Sequence, residues 1–133
     1  MKPAPFDYLR AASSHDALEA LAQTGEDARI LAGGQSLMAV LNMRLAQPRV
    51  LIDISRTEDL DRTSIDHGHL VVNAAATQGS VEWRPSLQNE VPLLALAFPH
   101  ISHFQIRNRG TVCGSIAHAD PSAELPLVLS VLD

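Results

Sequence analysis

The chain has 133 residues and a mass of 14.3 kDa, and its 46% hydrophobic and 19% charged residues predict one modest globular core rather than a disordered segment. The formal net charge is −5, and the 10 basic residues are interspersed among 15 acidic ones, which disfavours a nucleic acid as partner. The single cysteine, Cys113, excludes an internal disulfide and an all-cysteine metal site built from this chain alone.

The first predicted element is an amphipathic helix. Ser13 followed by Asp16 is a capping-box pattern, and apolar residues at helical spacing follow it. Gly25 then provides a residue that readily ends a helix. The sequence therefore predicts a helix over residues 14–24.

A strand, a glycine turn, a helix and a second strand are predicted next. The short apolar run at residues 28–31 stops at two glycines, and apolar residues at helical spacing extend from 37 to 45. Pro48 ends that helix, and the continuous apolar run at 50–54 is typical of a strand covered on both faces. Residues 1–56 therefore predict a first subdomain, a small parallel βαβ unit.

The pattern changes after residue 56. Two alternating segments flank the turn sequence Asp-His-Gly-His at 66–69, which predicts an antiparallel hairpin. Thr77 can cap a short helix that extends to Trp83, and Pro92 suits the first turn of another helix ending near residue 102. Both helices are expected to pack on the sheet of the hairpin.

The last part of the chain predicts a loop and an apolar element. Residues 107–121 are rich in Gly, Asn, Asp and Ser with little periodicity, which predicts a long ordered loop. Residues 125–132 begin an apolar element without a capping sequence after it. The second subdomain, residues 57–133, is therefore expected to be truncated at Asp133.

The first segment of chemical interest is Ala-Gly-Gly-Gln-Ser at residues 32–36, between the predicted strand and helix. Two glycines allow the backbone to approach a ligand, and the following helix presents unpaired N–H groups, which suits a phosphate or diphosphate. Gln35 and Ser36 add side-chain donors. The alternative is that the glycines only form a tight turn and that Ser36 only caps the helix. The residues that a Rossmann fingerprint, a Walker A loop or a nucleophile elbow requires are missing.

The second segment has the same character and lies within residues 107–121. Its glycines expose backbone N–H groups, its hydroxyls can donate, and its carboxylate can accept from ribityl or ribose hydroxyls. In chain order these residues are Gly110, Thr111, Gly114, Ser115 and Asp120. Two such segments in one small acidic chain predict a diphosphate held from two sides.

Other combinations of reactive side chains have simpler explanations. Ser115, His118 and Asp120 are the residue types of a hydrolase triad, but such close neighbours rarely converge on one substrate atom. Cys113 with His118, as in thiol enzymes, meets the same objection. His67 and His69 fit a solvated turn, because no third ligand stands at metal-binding spacing. The sequence therefore predicts no catalytic side chain and no metal site.

Five segments together carry a family resemblance, which covers essentially the whole chain. They are AGGQSL at 32–37, NMRL at 42–45, LIDI at 51–54, IRNRGT at 106–111 and AHADP at 117–121. In order and spacing they resemble the FAD-binding family of molybdopterin dehydrogenases. These are the FAD-binding, or medium, subunits of molybdenum hydroxylases such as carbon monoxide and xanthine dehydrogenases. Cys113 stands where that family commonly has glycine.

The resemblance implies a fold and a set of FAD-binding residues. The fold is an α/β FAD-binding fold of the PCMH/vanillyl-alcohol-oxidase type, in which the βαβ subdomain is followed by a mainly antiparallel sheet with helices. Asp120 would bind the ribityl region. The residues that would hold the diphosphate are Ala32, Gly33, Gly34, Gln35, Ser36, Thr111, Val112, Cys113, Gly114 and Ser115.

The resemblance also implies a function. The chain would be the flavoprotein component of an oxidoreductase, a heterotrimer repeated twice. It would relay electrons from 2Fe–2S clusters on a small subunit, supplied by a molybdenum cofactor on a large subunit, to an external acceptor. The alternatives are a structural or assembly subunit without a competent flavin site and a phosphate-ligand module without redox chemistry. Without a signal peptide or an apolar run of membrane-spanning length, the expected location is cytoplasmic.

Overall fold

Three parallel strands form the sheet of the first part of the chain. In the computed structural model, which describes residues 1–132, they are β1 (Asp7–Arg10), β2 (Ala28–Leu31) and β3 (Val50–Asp53). Their spatial order is β1-β3-β2, so β3 is the central strand and pairs with both neighbours. Its Leu51 and Ile52 are almost fully buried, which explains the continuous apolar run in the sequence.

Strand β1 was not predicted, and it adds an edge to the predicted βαβ unit. Its four residues, Asp-Tyr-Leu-Arg, are all exposed, so no alternation of apolar and polar positions indicates a strand. Hydrogen bonds hold it in place: the Asp7 N–H donates to the Arg49 carbonyl at 2.7 Å, and the Tyr8 hydroxyl donates to the Asp53 carboxylate. An edge strand needs one bonded neighbour and little burial, which accounts for the missing signal.

Helices α1 (Ser14–Thr24) and α2 (Leu37–Asn42) accompany this sheet. The prediction for α1 is confirmed, including its capping box, in which the Ser13 hydroxyl accepts from the Asp16 N–H at 3.1 Å. Helix α2 is shorter than predicted, since it ends well before Pro48. The chain leaves the helical conformation at Arg44, which has a left-handed φ of 56°.

The predicted hairpin is confirmed as β4 (Thr63–Asp66) and β5 (His69–Val72), paired antiparallel. The turn residues His67 and Gly68 have φ values of 48° and 82°, the combination that matches the twist of a two-residue hairpin turn. Leu70 and Val72 of β5 pack against a core of helical residues. The sheet of the second part is therefore a two-stranded antiparallel ribbon covered by helices.

Six helices form the rest of the second part. They are α3 (Gln78–Glu82), α4 (Leu87–Glu90), α5 (Pro92–Ala97), α6 (Phe104–Arg107), α7 (Val112–His118) and α8 (Glu124–Leu132). The predicted cap of α3 is present, since the Thr77 hydroxyl accepts from the Ser80 N–H at 3.0 Å. Helix α5 ends earlier than predicted, in a 3-10 turn that contains Pro99. Among residues 1–132, no helix has the length and apolarity needed to cross a membrane.

These helices share one apolar core. Val81 and Phe98 are fully buried at its centre, and Val112 of α7 reaches the same cluster. The other buried members are Leu87, Leu94, Ile101, Leu125 and Val128. The expected packing of α3 and α5 on the hairpin is therefore confirmed, because residues of both helices and of β5 meet in this cluster.

The prediction of a long loop over residues 107–121 was wrong. Helix α6 extends to Arg107, and α7 occupies Val112–His118, in the middle of the supposed loop. The Thr111 hydroxyl caps α7 by accepting from the Gly114 N–H at 3.0 Å. Glycine and serine have low helix propensity and α7 is only seven residues long, so local sequence gives no periodic signal. Tertiary packing of Val112 and the cap stabilise it instead.

Candidate functional site

The two glycine segments line one cavity of about 660 Å3. One wall is the turn between β2 and α2, and the other is the beginning of α7 with the residue before its cap. All the predicted cofactor-binding residues except Val112 and Asp120 contribute to the lining: Ala32, Gly33, Gly34, Gln35, Ser36, Thr111, Cys113, Gly114 and Ser115. Segments that lie about 75 residues apart in the sequence thus meet at one site, as expected for a ligand held from two sides.

Gly33 is the point at which the two segments touch. A Cβ atom at Gly33 would lie 2.2 Å from the Arg109 carbonyl oxygen and 2.6 Å from the Gly110 Cα. Both distances are far below van der Waals contact, and the atoms belong to backbone that cannot rotate away. Glycine is therefore required at residue 33 by the protein's own second segment.

The first wall contains backbone N–H groups without a protein acceptor. Gly34 has a φ of 71°, which favours glycine, and the Met38 N–H is bonded back to its carbonyl at 3.1 Å. Within residues 1–132, the N–H groups of Gly33, Gly34, Gln35 and Ser36 donate to no protein acceptor. Ser36 makes no side-chain capping bond to α2. The alternative in which this segment is only a tight turn with a serine cap is therefore disfavoured.

The second wall presents donors from the beginning of α7. The Thr111 and Cys113 N–H groups have no acceptor among the residues that the structure describes, whereas the Ser115 N–H donates to the Thr111 carbonyl at 3.2 Å. A Cβ at Gly114 would lie 2.5 Å from the Thr111 Oγ1, so glycine is required for the cap. Unpaired N–H groups on facing walls suit the oxygens of a diphosphate.

Val112 and Asp120 lie outside the lining of the cavity. The Val112 side chain is buried in the core of the helices, and its N–H donates to the Ala76 carbonyl at 3.3 Å. The Asp120 carboxylate accepts from the Ser122 hydroxyl at 2.7 Å and from the Ser122 N–H at 2.9 Å. These bonds, both made to Oδ1, lower the pKa of Asp120.

Cys113 lines the cavity as a protonated thiol. Burial raises the pKa of Cys113, and its Sγ donates to the Val72 carbonyl at 3.4 Å. A thiol in this state is a poor nucleophile at neutral pH. The Asp120 carboxylate is bonded to Ser122 and the Cys113 thiol to Val72, and within residues 1–132 no hydrogen bond joins His118 to either side chain. In the part of the chain that the structure describes, no three His, Cys, Asp or Glu side chains are grouped to hold a metal.

Several cavity-lining residues were not predicted. They come from segments between the two glycine motifs and include Leu37, Val40, Ala46, Ile54, Ala74, Gln78, Ile101 and Ile106. Most are apolar, and their sequence pattern indicates only core packing. Gln78 follows the N-cap Thr77, but this position alone does not indicate that it lies beside residues of the second segment.

The composition of the cavity fits FAD. The unpaired N–H groups on both walls match the acceptor oxygens of a diphosphate, which carries no donor of its own at neutral pH. The apolar side chains around them, such as Leu37, Val40 and Ile106, suit the flat ring systems at the two ends of such a molecule.

Comparison with known proteins agrees with this fit. Residues 4–133 match the sequence model of a protein family described as the FAD binding domain in molybdopterin dehydrogenase. The chain belongs to this family. FAD is accordingly the cofactor of this molybdopterin dehydrogenase FAD-binding domain, and the resemblance found from the five sequence segments is confirmed.

Curated members of the family cover the chain but are longer than it. The 6-hydroxypseudooxynicotine dehydrogenase complex subunit alpha of Paenarthrobacter nicotinovorans is 44% identical over 133 residues, which is all of this chain and 45% of that protein. The carbon monoxide dehydrogenase medium chain of Hydrogenophaga pseudoflava is 39% identical over 126 residues, 95% of this chain and 44% of that one. The chain therefore spans less than half the length of these relatives.

Solved structures of the family share the fold. The crystal structure of quinoline 2-oxidoreductase from Pseudomonas putida 86 superimposes with a TM-score of 0.93 at 39% identity, over 99% of this chain and 46% of that one. Carbon monoxide dehydrogenase from Hydrogenophaga pseudoflava gives a TM-score of 0.89 at 40% identity, over 95% of this chain and 44% of the other. The predicted α/β FAD-binding fold is confirmed by these neighbours.

Proposed function

We propose that the chain is the FAD-binding part of a molybdenum-containing hydroxylase or dehydrogenase, and that it relays electrons from iron–sulfur clusters to an external acceptor. The observation that carries this proposal is the single cavity lined by both glycine segments, in a chain of the molybdopterin dehydrogenase FAD-binding family. FAD, when bound, would supply a flavin able to accept electrons and pass them on.

The backbone of the two walls holds the diphosphate in this proposal. The N–H groups of Gly33, Gly34, Gln35 and Ser36 donate from one side, and those of Thr111 and Cys113 donate from the other. The remaining predicted residues contribute by shape: Ala32, Gly114 and Ser115 line the cavity, and the backbone of Val112 connects two donors. Asp120, whose Oδ1 accepts both bonds from Ser122, would contact the ribityl region through its Oδ2.

Partner subunits are part of the proposal. The relatives carry names such as complex subunit alpha, medium chain and medium subunit, which describe components of larger enzymes. We expect a small subunit with 2Fe–2S clusters and a large subunit with the molybdenum cofactor. In this proposal the part of the chain is to bind and orient the flavin. The cytoplasmic location stays a prediction.

A titration with FAD tests the proposal. Full-length protein freed of flavin is titrated with FAD while flavin fluorescence is followed, with ADP and FMN as competitors. Saturable binding that ADP weakens is the expected result, because ADP shares the diphosphate. Absence of FAD binding would overturn the proposal and favour an assembly subunit. Equal binding of unrelated nucleotides would favour a phosphate-ligand module.

A charge placed in the cavity provides the matched variant. Ser36→Asp introduces a carboxylate beside the unpaired N–H groups without disturbing a cap, since Ser36 makes none. Repulsion of the diphosphate is expected to raise the Kd for FAD by about tenfold or more. Ser64→Asp, on the exposed hairpin strand β4, adds the same charge outside the lining of the cavity and is expected to leave the Kd unchanged.

A further inference from the structure

Gln78 is a buried polar residue in the wall of the cavity, outside both glycine segments. It is the first residue of α3 and only 6% exposed. Its backbone N–H donates to the Gly110 carbonyl at 2.7 Å, which ties α3 to the second segment. Its side-chain Nε2 donates to the Thr111 carbonyl at 3.5 Å, a long bond that nevertheless orients the amide.

The other end of this amide lacks a partner. The Gln78 Oε1 is buried and accepts no hydrogen bond within residues 1–132. Rotating the amide by half a turn does not remove the problem, since it would place Oε1 against the Thr111 carbonyl oxygen. Buried acceptors are almost always satisfied in native proteins, so this oxygen requires a donor from elsewhere.

We propose that the Gln78 Oε1 accepts a hydrogen bond from a hydroxyl or N–H group of bound FAD, and that Gln78 is therefore a cofactor-binding residue. The inference rests on the proposed function. A diphosphate has no donor at neutral pH, so the partner is a ribityl or ribose hydroxyl, the adenine amino group or the flavin imide. In this proposal Gln78, which lines the cavity, would lie beside a part of FAD that can donate rather than beside its diphosphate.

The position of Gln78 between the two walls supports this role. A Cβ at Gly110 would lie 3.3 Å from the Gln78 Nε2 and 3.5 Å from the Gln35 Cγ. The two glutamine side chains therefore approach Gly110 on the same side. Gln35 belongs to the first wall and lines the same cavity. Gln78 is therefore close to both segments that hold the diphosphate in the proposed function.

The test compares Gln78→Met with Gln23→Met in full-length protein freed of flavin. Methionine fills a similar space without the amide, and Gln23 is an exposed residue of α1 that does not line the cavity. Gln78→Met is expected to raise the Kd for FAD about five- to tenfold, as loss of one hydrogen bond does. The Tm of the flavin-free variant is expected to stay the same or rise, since an unpaired buried oxygen is removed. Gln23→Met is expected to change neither quantity.

The outcomes separate this inference from the proposed function. If the wild-type protein binds FAD and Gln78→Met binds it equally well, or if the flavin-free variant loses stability, the inference is overturned and Gln78 is structural. If the wild-type protein does not bind FAD, the proposed function fails first. Gln78→Leu provides the same comparison where the methionine variant does not fold. Kd values for ADP and FMN show which half of FAD carries the donor: a weaker ADP complex indicates the adenosine half.

Discussion

Cys113 combines a place in the cavity with a bond to the hairpin. Its Sγ donates to the Val72 carbonyl of β5 at 3.4 Å, so the side chain connects α7 to the antiparallel ribbon. Burial disfavours the charged thiolate and raises the pKa of Cys113. Cys113 therefore lines the cavity as a neutral side chain.

The reactivity of Cys113 should follow from this burial. Because only the thiolate reacts with iodoacetamide, a raised pKa displaces the rise of the alkylation rate to higher pH than for an exposed cysteine. The measurement is the alkylation rate against pH, followed by mass spectrometry. A Cys113→Ser, Ser64→Cys variant, with its thiol on the exposed face of β4, provides the control. Coincident pH profiles for the two proteins would contradict the prediction.

Among individual residues, the sequence predicts the glycine segments but not every residue that lines the cavity. Gly33 and Gly34 stand out because two adjacent glycines between a strand and a helix form a turn whose backbone can approach a ligand. Gln78 does not stand out, because its importance comes from two backbone carbonyls more than 30 residues away in the sequence. Contact between Asp120 and the cofactor stays a prediction: its Oδ1 is bonded to Ser122, and the residue lies outside the lining of the cavity.

Helices α3 and α6 are joined by a buried ion pair. The Arg107 guanidinium donates to both carboxylate oxygens of Glu82, at 2.7 and 2.9 Å, and the two side chains are 9% and 11% exposed. The same guanidinium donates to the carbonyls of Ile101 and Ser102 at 2.8 and 3.2 Å. All its bonds therefore hold α6 and the turn before it in place next to the cavity.

Removing one member of this buried pair should lower the free energy of unfolding much more than breaking an exposed ion pair. Arg107→Met leaves the Glu82 carboxylate buried and unpaired, and is expected to lower the free energy of unfolding by about 3–5 kcal/mol. Arg49→Met breaks a pair with Asp27 in which the side chains are 80% and 60% exposed, and a change near zero is expected. Urea unfolding followed by circular dichroism measures both, and similar losses in the two variants would show that the buried pair is not the cause.

Elements with a local signal were predicted, and elements defined by tertiary contacts were not. Helix α1 has a capping box, an amphipathic face and a terminal glycine, so its bounds follow from the sequence. Strand β1 is exposed and short, and α7 depends on the core contacts of Val112 and on the Thr111 cap. Local propensity alone predicts neither, because hydrogen bonds to distant residues hold β1 and packing stabilises α7.

The contact at Gly33 connects the two parts of the molecule. Residues of the βαβ part and of the helical part meet there without side chains between their backbones. The division near residue 56 stays a prediction, but the cavity depends on this close approach across it. The family resemblance indicated a site with two walls, whereas the contact itself follows only from the three-dimensional positions of Arg109 and Gly110.

Adding a single methyl group at Gly33 should therefore affect both stability and cofactor binding. Gly33→Ala forces the two segments apart and is expected to cost about 1–3 kcal/mol of unfolding free energy, as overpacking does. The altered spacing of the walls is expected to weaken FAD binding as well. Urea unfolding and an FAD titration measure the two effects.

Gly68→Ala is the control for this variant. Gly68 has a φ of 82°, so alanine is strained there, yet no atom lies within 4 Å of its added Cβ. The control is expected to lose some stability and to bind FAD normally. Normal FAD binding by Gly33→Ala would show that the contact between the segments does not set the width of the cavity.

The strand order β1-β3-β2 has a consequence for how the chain acquires its structure. Both outer strands pair only with β3, so neither has a partner until residues 50–53 have left the ribosome. The β4–β5 hairpin needs only a two-residue turn and can close within microseconds of its synthesis. Pairing β1 with β3 closes a loop of about 40 residues, which is entropically slower. During synthesis, β1 and β2 therefore cannot form their sheet until the β3 strand that follows them is available.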